Sequence, residues 1–128
     1  MSPAPYEVRY DRFRRRLYWT MRGLWTMAEV GGFIGALRAA TAPLGAPPFT
    51  YDGLCDSRDF KVQSREVSEA LGKIDDASRT MREGRTAIVV GSMMNKLQAE
   101  RTLKSSGTRI FLTMDDAEAW LNDGSRQP

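Results

Sequence analysis

The sequence predicts an α/β fold with a mixed, mostly parallel sheet, and three observations lead there. Two alternating apolar segments open the chain, strand-like and helix-like segments then take turns, and the most β-branched stretch, "TAIVVG", is almost wholly apolar. Alternating strands and helices imply right-handed crossovers onto a parallel sheet, and a strand apolar on both sides belongs in its middle. At 128 residues the chain fits a single domain spanning 1–128, with flexible tails expected at 1–5 and 123–128.

The elements follow in order. Tyr6, Val8 and Tyr10 alternate with Glu7, Arg9 and Asp11, and Leu17, Trp19 and Met21 repeat the period beyond a polar turn at Arg12 to Arg14, so both runs read as one antiparallel hairpin. Thr26 and Glu29 have capping-box spacing and open a helix with Val30, Phe33, Ile34 and Leu37 on one face. Gly31, Gly32 and Gly35 weaken that helix, so close packing must offset them. "APLGAPPF" is a loop, "FTYDGLC" a strand, and "DSRD" the turn leaving its carboxyl end. A second helix is expected from about Ser64 to Glu83, with Val67, Leu71, Ile74 and Met81 inward and Gly84 as its stop. After the "TAIVVG" strand, Ser92 caps a third helix carrying Met94 and Leu97 and ending at Gly107. "TRIFL" is the last strand, and Thr113 with Asp116 starts a terminal helix whose Ala117, Trp120 and Leu121 face inward. The order is β-β-α-β-α-β-α-β-α.

Composition narrows the chemistry. The chain has no histidine, which removes the commonest general base, the commonest metal ligand and the usual activator of a nucleophilic serine or cysteine. Its single cysteine, Cys55, has no internal disulfide partner and falls in a strand, where a thiol is inert. Asp75 and Asp76, like Asp115 and Asp116, are neighbours on helices and point about 100° apart, which suits surface charge better than an acid/base dyad. No catalytic residue, metal site or cofactor is assigned, and a non-enzymatic role is expected. No apolar run approaches the roughly 20 residues that span a bilayer, so stable membrane insertion is not expected. Residues 1 to 25 hold six arginines against Glu7 and Asp11. Without a zinc, helix-turn-helix or aromatic RNA-binding motif, this basic hairpin reads as a solvated edge guarded against strand pairing, and no nucleic-acid partner is expected.

The hairpin, the "GLWTMAEV" helix entry, the strand ending "LCDSRD", the strand "RTAIVVGS" and the ending "RIFLTMDDAEAWL" together resemble the SpoIIAA-like group of small bacterial proteins. That group belongs with the STAS domains, named for sulfate transporters and anti-sigma-factor antagonists. The resemblance runs from about Tyr6 to Leu121 and implies a SpoIIAA-like sandwich acting as a noncatalytic cytoplasmic module in bacterial signalling. In the antagonists a serine that follows an aspartate at a helix start is phosphorylated, which breaks the partner complex. Asp56 and Ser57 match that pair, whereas Arg58 and Asp59 stand where the antagonists have a small hydroxyl residue and a glycine.

Asp56, Ser57, Arg58, Ser92 and Met93 are therefore the candidate contacts, because they emerge where the parallel strands end, the usual working edge of such sheets. Ser57 is also the candidate phosphosite. Two roles fit: reversible binding of a protein partner, a second copy of the chain included, and binding of an apolar small molecule in a cavity lined by Trp25, Phe33, Met93, Met94 and the glycines of the first helix, by analogy with SEC14-type lipid carriers. A partner site should leave an exposed apolar patch at the strand and helix ends, and a ligand site an internal cavity.

Overall fold

The computed structural model describes residues 4–102 and 107–123. Strands β1 (Tyr6–Asp11) and β2 (Arg16–Gly23) form the expected hairpin, and β4 (Asp52–Phe60), β6 (Thr86–Val89) and β7 (Thr108–Phe111) complete a five-stranded sheet in the order β1-β2-β4-β6-β7. The hairpin is antiparallel and every other pairing is parallel. Helices α1 (Met27–Thr41), α2 (Arg65–Met81) and α3 (Met93–Thr102) are the crossovers, and α4 (Met114–Leu121) ends the fold.

Two clusters of side chains hold the sheet between its helices. On one face Met21, Trp25, Val30, Phe33, Cys55 and Val67 pack beneath α1 and α2. On the other, Leu54, Ala87 and Val89 meet Ala117 and Leu121 of α4. Because successive strand residues point to opposite faces, Leu54 and Cys55 serve different clusters, as do Ala87 and Ile88. The near-continuous apolarity of "TAIVVG" thus follows from a strand buried on both sides.

Local signals explain the helix starts. Thr26 Oγ1 accepts from Glu29 N at 3.3 Å while Glu29 Oε1 accepts from Thr26 N at 2.8 Å, so both donors are satisfied at the entry to α1. Thr26→Ala is expected to lower stability by about 1 kcal/mol, read as a shift of the urea unfolding midpoint at constant slope. Ser64, Ser92 and Thr113 cap α2, α3 and α4 in the same manner, each accepting from the amide three residues on. Gly32 lets α1 approach the hairpin closely: a Cβ there would lie 2.2 Å from the Tyr6 hydroxyl.

The structure departs from the sequence reading in three places. "DSRD" is not a turn, because β4 runs on to Phe60, paired with β2 from Arg16↔Asp52 to Gly23↔Phe60 across an irregularity between Thr20 and Arg22. That extension is made by backbone hydrogen bonds, which polar side chains do not advertise. Helix α2 stops at Met81, since Arg82–Glu83 form β5, paired in parallel with β3 (Phe49–Thr50), and the expected strand "FTYDGLC" is divided at Tyr51 between β3 and β4. Met81 is accordingly exposed and not inward, and the helix is stopped by Arg82 in extended conformation and not by Gly84, which follows β5 at φ 142°. The expected end of the third helix near Gly107 and most of both expected tails lie outside the described residues.

Candidate functional site at the carboxyl edge of the sheet

β2, β4 and β6 are adjacent and parallel, so their carboxyl ends share one edge of the molecule. All five candidate residues lie there. Asp56 and Arg58 share a face of β4 and form a two-pronged ion pair, Nε to Oδ1 at 2.9 Å and Nη2 to Oδ2 at 2.8 Å. The Arg58 side chain holds the Asp56 carboxyl below the usual carboxylate range and is itself pushed up by Asp56. Both stay charged across the physiological range, which makes the pair a fixed polar mark and not a proton donor.

Ser57 points to the opposite face, where its Oγ donates to the Val89 carbonyl at 2.9 Å. The ladder between β4 and β6 ends at Asp56↔Val89, so this hydroxyl continues the pairing one residue further. Ser57 therefore sits within a strand, not at a helix start; the helix following β4 opens at Ser64. Beyond Val89, Gly91 passes under the Arg58 carbonyl so closely that a Cβ would lie 2.7 Å from the oxygen. That approach joins the ends of β4 and β6 and sets Ser92 at the start of α3, its Oγ accepting from Asn95 N at 3.1 Å. Met93 follows on the surface.

Of the surrounding apolar side chains, Met93 and Met94 were singled out by sequence and Leu24 and Val62 were not. Leu24 is 63 % exposed just after β2, Val62 93 % just after β4, and Met93 and Met94 55 % and 70 % just after β6. Met27 and Leu97 are also exposed, the latter one turn along α3 from Met93 and Met94 on the same side. Leu24 and Val62 come from segments tied together, with Lys61 N donating to Gly23 O at 3.1 Å and Gln63 Nε2 to the same oxygen at 2.8 Å. The signal available in the sequence was position: each lies within a few residues of a parallel strand's end.

The four side chains proposed, with the glycines of the first helix, to line a cavity do not share one. Trp25 and Phe33 are packed in the core with ring centroids 5.2 Å apart, whereas Met93 and Met94 lie on the surface. Cys55 is buried with its Sγ 3.7 Å from Met21 Sδ, and desolvation pushes its thiol up to about 12. Iodoacetamide at pH 8 should leave Cys55 unmodified in the folded protein and alkylate it once urea unfolds the chain, as read by intact mass. Among the described residues no group of three or more histidine, cysteine, aspartate or glutamate side chains is placed to hold a metal ion.

These features define a small α/β sandwich of the SpoIIAA-like kind, with a hairpin edge and a mixed apolar and charged carboxyl edge. A solved structure of the same architecture is the crystal structure of an uncharacterized protein from the DUF3478 family with a SpoIIAA-like fold, from Shewanella loihica PV-4. It aligns over 94 % of this chain and 98 % of its own at a TM-score of 0.72 and 18 % identity. At that identity the likeness shows the fold. No protein-family model and no curated protein matches the sequence.

Proposed function

We propose that this protein is a noncatalytic signalling module of the cytoplasm that binds a protein partner reversibly through the carboxyl edge of its sheet. The observation that carries the reading is the set of large apolar side chains, Leu24, Val62, Met93 and Met94, exposed together with the Asp56–Arg58 pair where three neighbouring strands end. Exposed apolar groups flanked by satisfied charges have the composition of a protein-docking patch, and methionines adapt to a partner's surface at little cost. The core beneath is filled by Trp25, Phe33 and Phe60, which favours a surface partner over an enclosed ligand. A catalytic role has little to draw on, given a chain without histidine, a buried thiol and a Ser57 hydroxyl engaged with Val89.

Ser57 fits a regulatory part of this reading in one way. A phosphoryl group there would replace the bond to Val89 O, so it would loosen the β4–β6 edge. The reading is tested by native mass spectrometry of the protein isolated gently from its own cytosol. A complex with a discrete protein, or with a second copy of the chain, supports it; a small-molecule adduct that survives isolation with no protein complex would overturn it.

A further inference from the structure

The hairpin tip stands at the opposite end of the sheet from the candidate site, because it precedes β2 and β2 runs parallel to β4. Its turn is built by Asp11, whose Oδ1 accepts from Phe13 N at 2.9 Å and Arg14 N at 3.1 Å while Oδ2 takes Arg14 Nη1 at 2.8 Å. Arg15 closes the turn at φ 54° and donates to Thr50 Oγ1. The turn is therefore held by polar bonds alone, and they aim Phe13 outward at 98 % exposure, with Arg12, Arg14 and Arg15 exposed around it. Arg12 makes no ion pair or side-chain hydrogen bond among the described residues. Nothing within the fold accounts for a fully solvated phenyl ring set in a crown of guanidinium groups.

We propose that this tip is a peripheral docking site for an anionic lipid bilayer. The phenyl ring enters the interface and the arginines meet the lipid phosphates, which their planar forks match in pairs of hydrogen bonds. A depression of about 570 Å³ beside the tip, lined by Val8, Tyr10, Arg12, Pro43 and Leu44, sets apolar surface next to a guanidinium. Single-stranded nucleic acid, the other polyanion such a tip could meet, binds by stacking bases on free aromatic faces. Here Phe13 offers one free ring and not a run of them, since the neighbouring rings each carry a guanidinium on one face: Arg9 lies 3.9 Å from the Tyr18 ring centre, Arg82 5.3 Å from Tyr51, and Arg85 4.7 Å from Trp120. A single ring and a few arginines give weak, salt-sensitive, reversible attachment, in keeping with a chain in which no described helix is long and apolar enough to cross a membrane. Docked by its tip, the protein would present its carboxyl edge away from the lipid.

The test is co-sedimentation of the full chain with vesicles of phosphatidylcholine alone and of phosphatidylcholine mixed with phosphatidylglycerol, at low and high salt. The expected result is binding to the mixed vesicles only, released by salt, with Arg12→Ser weakening it about fivefold and Phe13→Ser about tenfold or more. Both side chains are free of contacts that hold the fold, so unchanged thermal unfolding will show that the variants are intact. Met93→Glu/Met94→Glu should bind the vesicles like the wild type, which separates this surface from the partner site. Failure to sediment, equal binding to neutral vesicles, undiminished binding by both tip variants, or a shift of a single-stranded oligonucleotide without vesicle binding would each overturn the proposal.

Discussion

Met93→Glu/Met94→Glu loses partner binding by roughly thirtyfold or more while the protein stays folded. The two methionines begin α3, project into water and take no part in either core cluster. Interface energy concentrates in a few buried apolar anchors, each worth about 2 kcal/mol or more, so charging two adjacent ones removes most of the binding. Glutamates in a helix's first turn also face the positive end of its dipole, so α3 gains slightly and does not melt. Titration of the purified partner by calorimetry, with far-ultraviolet circular dichroism of the variant as control, separates lost binding from lost structure.

Glu118→Ala destabilises the fold by about 3 kcal/mol, whereas Arg16→Met costs clearly less. Arg16 is 2 % exposed at the start of β2, and its Nη1 reaches Glu118 Oε1 at 3.2 Å and its Nη2 Asn122 Oδ1 at 2.9 Å. Tyr18 donates to the same carboxylate at 2.9 Å, so one glutamate on α4 gathers two strand residues. Arg16 Nε, buried, finds no partner in the structure. The guanidinium is thus incompletely satisfied even with Glu118 present, and removing the carboxylate leaves a buried cation with only neutral partners. Methionine in place of Arg16 removes the charge together with its unmet donor, and Glu118 is exposed enough to be hydrated. Equal losses from the two variants, measured by urea unfolding, would contradict this ranking.

The Arg16 network also marks where sequence reading stops. As a string, "RFRRR" is a run of like charges, and nothing local distinguishes the fourth arginine, buried and bonded across the fold, from the three before it, which are solvated. Its partners lie 102 and 106 positions away. By contrast, the hairpin, the caps at Thr26, Ser92 and Thr113, and the strand around Ala87 and Val89 were legible because their causes are local: period-2 alternation, side-chain acceptors three residues before a free amide, and continuous β-branched apolarity. The polar half of β4 was not, since its pairing with β2 depends on backbone groups every residue carries. The candidate site was legible as a location, through the rule that parallel sheets work at their carboxyl ends. Of its apolar members Met93 and Met94 were singled out, whereas Leu24 and Val62 were not, because they look like core residues until the fold leaves them uncovered.

The central claim, that the carboxyl edge of the sheet is the docking surface, is tested most directly by placing a photo-crosslinking amino acid at position 94 and, as control, at Lys73 on the exposed side of α2. Irradiated in native lysate, the protein labelled at position 94 should join one discrete protein species, and the protein labelled at position 73 should not. Crosslinks of equal yield from both positions, or none from position 94, would contradict it.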